Sequence, residues 1–145
     1  MTSLRFIATS PKGLGSLLVP EIEGFGASDV RETVAGVTFS GGLGVGYRAC
    51  LNSRLANRII LQLSEFAASD ADDLYAGIAN LPWHEQLAPG GSLVVDFSGR
   101  SEGIRNTQFG AQRCKDAVVD VFRSRGLERP NVDTRSPDLR INVRL

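Results

Sequence analysis

The residues that carry most protein chemistry are scarce here: among 145 positions there are one His, two Cys and one Trp. Cys50 and Cys114 lie far apart and in no C-x-x-C spacing, which excludes a disulfide-stapled miniprotein and a cysteine-rich zinc module. Both fall on segments with apolar helical periodicity and are expected as buried, reduced thiols. His84 has only Glu85 beside it and cannot assemble a zinc site alone. Neither Ser nor Cys is paired with a His in a hydrolase-like signature, so no triad enzyme is expected. Long apolar runs are missing too: the longest, around residues 17–19 and 59–61, fall far short of the roughly 18 to 20 residues of a membrane span. The first ten residues carry Arg5 within their apolar segment and resemble no secretory signal, which makes the cytoplasm the default location.

Net charge is also absent, with 16 Lys+Arg against 16 Asp+Glu. Its distribution is uneven: residues 1–99 hold 6 basic and 10 acidic residues, a net of −4, whereas residues 100–145 hold 10 basic and 6 acidic, a net of +4. Nine of those ten basic residues are Arg, Lys115 being the exception. A basic C-terminal third points to a polyanion partner. The preference for Arg carries little weight, because the whole chain has 14 Arg and 2 Lys. With 42% apolar residues, the length suits one compact domain or two small ones in contact.

The chain reads as alternating short elements. Residues 4–8 form an apolar, β-branched and aromatic run that predicts a strand, and Ser10 followed by Pro11 predicts the cap and first position of a helix. Leu14, Leu17, Leu18 and Ile22 continue that helix to Gly24 or Gly26, with a kink or early end expected at Pro20. Residues 30–34 and 37–39 flank Ala35-Gly36 as a hairpin. Leu43, Tyr47, Cys50 and Leu51 mark the apolar stripe of a second helix, and residues 59–63 a fourth strand. Strand, helix, strand, strand, helix, strand is the order of a ferredoxin-like module.

The small, acidic stretch 67–73 is the candidate boundary, giving domains of 1–66 and 67–145. Asp70 is expected to cap a helix to about Asn80, and Pro82 to start a short one to Leu87. Residues 93–97 predict a strand and residues 98–106 a polar loop. Cys114, Ala117, Val118, Val121 and Phe122 recur at i, i+3, i+4, i+7, i+8 and predict an amphipathic helix over 107–124. A Pro-containing loop over 127–138 precedes a strand over 139–145, whose odd-numbered residues share a face. Ending inside a strand suggests a fragment whose next strands are missing.

The glycines at 42, 44 and 46 follow a strand and open a helix, where a G-x-G-x-G loop would cradle a nucleotide or S-adenosylmethionine. The antiparallel hairpin before them argues against a doubly wound fold, and position 47 is Tyr, so a Gly-rich helix start is the better reading. Asp70, Asp72 and Asp73 read as charges at a helix N-terminus rather than as a metal cluster. Trp83 reads as a packing anchor, with stacking on a base as the alternative if it is exposed. The loop at 98–106 holds Arg100 and Arg105 and leads to a helix N-terminus whose free N–H groups suit an anion. Gln108, Gln112 and Lys115 share one flank of that helix, while Asp116 and Asp120 are expected to pair with Arg113 and Arg123. No catalytic and no metal-binding residues emerge.

The runs Ile104-Arg105-Asn106-Thr107-Gln108-Phe109-Gly110-Ala111, Lys115-Asp116-Ala117-Val118-Val119-Asp120, Arg129-Pro130-Asn131-Val132-Asp133 and Pro137-Asp138-Leu139-Arg140-Ile141-Asn142-Val143 resemble the THUMP region of bacterial 23S rRNA guanine-N2 methyltransferases. Ala8-Thr9-Ser10-Pro11-Lys12-Gly13-Leu14, Gly36-Val37-Thr38-Phe39 and Ser53-Arg54-Leu55-Ala56-Asn57-Arg58 resemble the ferredoxin-like part of the same proteins. The resemblance implies an α+β chain of two modules, ferredoxin-like and then a truncated THUMP module. It implies RNA binding by Arg105, Asn106, Gln108 and Lys115, with Arg129 and Arg140 less firmly placed, and charge alone adds Arg100. The implied partner is structured RNA, most simply 23S rRNA. Catalysis and S-adenosylmethionine are expected in a downstream domain carrying an Asn-Pro-Pro-Tyr-type motif, so no cofactor is expected in this chain. Rival readings are a tRNA-modifying THUMP protein akin to the thiouridine synthetases, and a ligand-sensing or oligomerising ferredoxin-like module.

Overall fold

The computed structural model describes residues 3–145, which fall into two compact units, one ending at Glu65 and one running from Phe66 to Leu145. Phe66 belongs to the second because its ring fills the space where a side chain on Gly77 would stand. The charge split moves with this boundary. Asp70, Asp72, Asp73, Glu85 and Asp96 share a unit with all the basic residues of the C-terminal third, so that unit holds ten basic against eleven acidic residues and is not a basic block.

The first unit runs β1 (Leu4–Thr9), α1 (Gly15–Gly24), β2 (Ser28–Thr33), β3 (Gly36–Gly41), α2 (Leu43–Asn52), β4 (Arg58–Gln62). The strands form one antiparallel sheet in the order β2-β3-β1-β4, the ferredoxin-like arrangement. Its core joins Phe6, Ala8, Val37 and Phe39 of the sheet to Leu18 and Ile22 of α1 and Val45 and Ala49 of α2. The rings of Phe6 and Phe39, paired across β1 and β3, stack at 5.2 Å.

Three expectations need correcting in this unit. Helix α1 starts at Gly15, not at Pro11, because Gly13 adopts φ +90°, outside the right-handed helical region, and residues 11–14 close a turn instead. The helix then runs through Pro20 to Gly24; Ser16, whose carbonyl loses a partner there, is exposed to water. The hairpin turn is Val34-Ala35, with Gly36 already in β3, where a Cβ would lie 2.0 Å from the Ala8 carbonyl oxygen. Most tellingly, α2 buries its small residues Val45, Gly46 and Ala49, while Leu43, Tyr47, Cys50 and Leu51 are exposed. The close approach decides this: a Cβ on Gly46 would stand 2.6 Å from the Phe6 ring. The glycines at 42–46 are thus a helix start and a packing contact.

The second unit runs α3 (Ala71–Ala79), α4 (Trp83–Gln86), β5 (Ser92–Ser98), α5 (Thr107–Ser124), β6 (Asn131–Val132), β7 (Leu139–Arg144). Asp70 caps α3 by accepting from the Asp73 N–H at 2.8 Å, and Asp73 accepts in return from the Ser69 N–H and hydroxyl, two orphan donors satisfied reciprocally. Strand β5 is central, with β6 and β7 parallel on either side and α5 as the crossover between β5 and β7. Strand β6 replaces part of the expected loop: Asn131 and Val132 pair with Ser92 and Leu93, a two-residue ladder too short to leave a periodic signal. Helix α5 and β7 have their expected places, and Ile141 is buried between partly buried Leu139 and Val143. Trp83 is 2% exposed and donates its indole N–H to the Ile78 carbonyl at 2.7 Å, which removes it as a base-stacking residue.

Candidate nucleic-acid interface

The polar loop after β5 is not slack. Ile104 is 1% exposed and sits in the core, so it pins the loop from within. Ser101 and Ile104 exchange backbone hydrogen bonds, and the Ser101 hydroxyl accepts from the Ile104 N–H at 3.1 Å. Gly103 lies against residues 69–70 at the start of α3, where a Cβ would meet the Ser69 carbonyl oxygen at 2.4 Å. The two arginines of this anchored loop, Arg100 and Arg105, are exposed, as is Glu102 between them.

At the loop's end Asn106 caps α5, its side-chain oxygen accepting from the N–H groups of Gln108 at 2.8 Å and Phe109 at 3.3 Å. Two of the N–H groups expected to await an anion are therefore occupied; the Asn106 amide still has its own two donors. Close packing sets the helix on the sheet, since a Cβ on Gly110 would lie 2.6 Å from the Phe97 ring. Gln108 and Lys115, seven residues apart, lie about 10 Å apart along one flank of α5. Gln112, between them, donates to Asp116 at 3.0 Å.

The acidic residues of this unit are largely taken up by its fold. Asp72 pairs with Arg113 at 3.3 Å, Asp120 with Arg123 at 3.8 Å and Asp96 with Arg140 at 2.7 Å. Asp133 accepts from the N–H groups of Arg135 and Ser136, and Asp138 from the N–H and hydroxyl of Ser92. The expected pair of Asp116 with Arg113 does not form, because the Arg113 guanidinium turns to Asp72 and stacks 4.5 Å over the Tyr75 ring. Tyr75 donates its hydroxyl to Asp120, a bond that together with desolvation raises its pKa. Among the described residues, none makes an ion pair with Arg100, Arg105, Lys115, Arg129 or Arg144.

The seven residues singled out in the sequence do not converge on one place. Arg100, Arg105, Asn106 and Gln108 share the end of the unit where β5 leaves the sheet and α5 begins, and Lys115 lies at the middle of α5, about 12 Å along the helix from its first residue. Arg129 lies beyond the opposite end of α5, whose 18 residues span about 27 Å. Arg140 pairs across the sheet with Val94 and, bound to Asp96, stands on the face opposite to the core packed under α5. Arg144, exposed and opposite Ser98, stands at the same end of the sheet but, by strand alternation, on the face of Arg140. One residue joins the first group: Phe109, 49% exposed, stands beside Gln108. Phe109 lies off the buried stripe of α5, which was the signal in the sequence for an outward-facing aromatic.

The two thiols differ, Cys50 being exposed and Cys114 buried. Burial pushes the Cys114 thiol up to about 12, and no group of three or more His, Cys, Asp or Glu able to hold a metal ion occurs among the described residues. No helix among them is long and apolar enough to cross a membrane.

Comparison with known proteins supports both units. The THUMP domain family matches residues 68–145, and the RlmL ferredoxin-like domain matches residues 5–60. The chain is 52% identical over 141 residues to the ribosomal RNA large subunit methyltransferase K/L of Cellvibrio japonicus, covering 97% of this chain and 19% of that protein. It is 54% identical to the protein of the same name from Aeromonas hydrophila, covering 97% of this chain and 20% of the relative. The chain thus spans about one fifth of the length of these relatives. The structure of SMU.472 in complex with SAH superposes with a TM-score of 0.84 at 22% identity, covering 100% of this chain and 39% of that one.

Proposed function

The chain belongs to the THUMP domain family, and from that premise we propose that it is the RNA-recognition part of an S-adenosylmethionine-dependent 23S rRNA guanine-N2 methyltransferase. The observation that carries this reading is the sorting of charge in the second unit. Most of its carboxylates serve as helix caps, turn acceptors and partners of Arg113, Arg123 and Arg140, while Arg100 and Arg105 of the anchored loop, with Glu102 between them, and Lys115 on the flank of α5 make no ion pair among the described residues. A cationic cluster held on rigid elements suits phosphate, and guanidinium forks suit it best. Gln108 and the Asn106 amide add neutral donors for phosphate or 2′-hydroxyl groups, the features through which structured RNA is read. Phe109 offers a ring face to an unstacked base.

Arg129 and Arg140 take a secondary place in this reading, the first because of distance and the second because it is paired. Methyl transfer and S-adenosylmethionine belong to the four-fifths of the relatives that this chain does not span, which matches the SAH held by the much longer SMU.472 structure. The chain itself has no catalytic role in this scheme, and its place of action is the cytoplasm, where ribosomal RNA is matured.

The deciding experiment is binding of the chain to a structured hairpin of 23S rRNA as a function of salt. Wild type is expected to show a steep fall of log K with log salt, and Arg105→Ala or Lys115→Ala a slope shallower by about 1 each. Equal binding and equal slopes in wild type and both variants would refute the assignment of the site.

A further inference from the structure

The first unit carries a second sorted surface. Phe6, Ala8, Val37, Phe39, Ile59 and Leu61 point into the core under α1 and α2, so the strand alternation turns the intervening residues to the opposite face. On that face Arg5 lies between Ser40 and Gln62, Ile7 between Thr38 and Ile60, and Thr9 between Gly36 and Arg58. Arg31 stands opposite Thr38 at the edge.

The carboxylates of the unit lie elsewhere. Glu21 and Glu23 are on α1, Glu32 reaches the helix side against Gly15, and Glu65 lies past the end of β4. Asp29 is held by Arg31 at 2.9 Å. Arg5 and Arg58 are exposed and have no ion-pair partner among the described residues. They stand about 13 Å apart along the strands, given four residues at about 3.3 Å each, with Ile7 and Ile60 side by side between them.

We propose that this open sheet face is a second RNA-contacting surface, which takes an extended single strand of RNA across β4, β1 and β3. The proposal rests on the RNA-recognition reading above. Charge complementarity selects the occupant: two free guanidinium groups bracket hydroxyl and amide donors, with no unpaired carboxylate among the described residues of the face. A flat four-stranded sheet is a known platform for single-stranded RNA, and aromatic residues there stack bases. No aromatic residue occupies this face, so the contacts are to phosphate and sugar, with apolar contact from the isoleucines, and binding is insensitive to base sequence.

The test uses the whole chain, a fluorescent single-stranded oligonucleotide of mixed sequence and the structured hairpin, each titrated by anisotropy at several salt concentrations. The Arg5→Gln/Arg58→Gln variant is expected to bind the single strand at least fivefold more weakly, with a slope shallower by about 1.4 for two lost phosphate contacts. Thr38→Glu, which adds a carboxylate to the middle of the face, is expected to weaken single-strand binding alike, and both variants keep the wild-type melting profile. Wild-type affinity and slope in both variants overturn the proposal, and if Arg105→Ala still weakens hairpin binding the recognition reading survives it. If wild type binds neither RNA, both fail. Concentration-dependent dimerisation that the variants abolish would assign the face to a second copy of the chain and overturn the proposal as well.

Discussion

The side-chain oxygen of Asn106 lies 2.8 Å from the backbone nitrogen of Gln108, so a residue singled out for RNA contact is at the same time the cap of the helix that carries the rest of the site. The two roles separate by substitution. Asn106→Ala removes the acceptor and is expected to cost about 1 kcal/mol of stability, in the usual range for a lost cap. Asn106→Asp keeps the acceptor but replaces the amide donors with negative charge. Its denaturation midpoint is expected to stay near wild type while RNA affinity falls, and a matched loss of both in Asn106→Asp would show that the residue acts through the helix alone.

The two ends and two faces of the second unit predict unequal effects of removing Arg. Arg105→Ala is expected to lower the salt slope of hairpin binding, whereas Arg140→Ala, whose charge is already matched by Asp96, is expected to change it little. Salt titrations of the two variants in parallel check this, and a larger change in Arg140→Ala would move the interface to the open face of that sheet.

Gly110 fixes how closely α5 lies on β5. Gly110→Ala would improve helix propensity by about 1 kcal/mol, but its Cβ would enter the Phe97 ring at 2.6 Å. Overpacking of this kind costs about 1–3 kcal/mol, so net destabilisation is expected in urea denaturation. The Gly110→Ala/Phe97→Leu combination is expected to recover part of it.

The two thiols differ by position. Cys50 is exposed and Cys114 fully buried, with its pKa raised to about 12. Titration of the native protein with a thiol-specific reagent is expected to modify one cysteine rapidly, and mass mapping to place the label on Cys50. The second cysteine is expected to react only as the protein unfolds.

Hydrogen bonds from the Ser69 hydroxyl and backbone N–H hold the Asp73 carboxyl below its usual range. A carboxylate depressed in the folded state contributes stability that is present above the unfolded pKa, near 4, and is lost as pH falls through the folded value. Ser69→Ala is therefore expected to flatten the acid side of the stability profile below about pH 4 and to leave its shape above pH 6 unchanged. Identical acid limbs in the two proteins would remove Ser69 from this role.

Local repeats in the chain sufficed for much of the architecture. The strand and helix order of the first unit, the limits of α5 and the alternation of β7 follow from periods of 2 and 3.6 that any short segment displays by itself. The same holds for the cap at Asp70 and for the loop of Arg100 and Arg105, since capping and turn chemistry act within a few residues. Docking between elements decided the rest. The inward face of α2 is set by Gly46 against Phe6 rather than by the larger Leu43, Tyr47 and Leu51, because close approach of backbone to ring outweighs residue size there. Arg113 chooses Asp72, 41 residues away, over Asp116 three residues along its own helix, and Arg140 is neutralised by Asp96 on the neighbouring strand. Such partnerships depend on which surfaces meet once helices and strands have packed, and that meeting leaves no periodic trace along the chain.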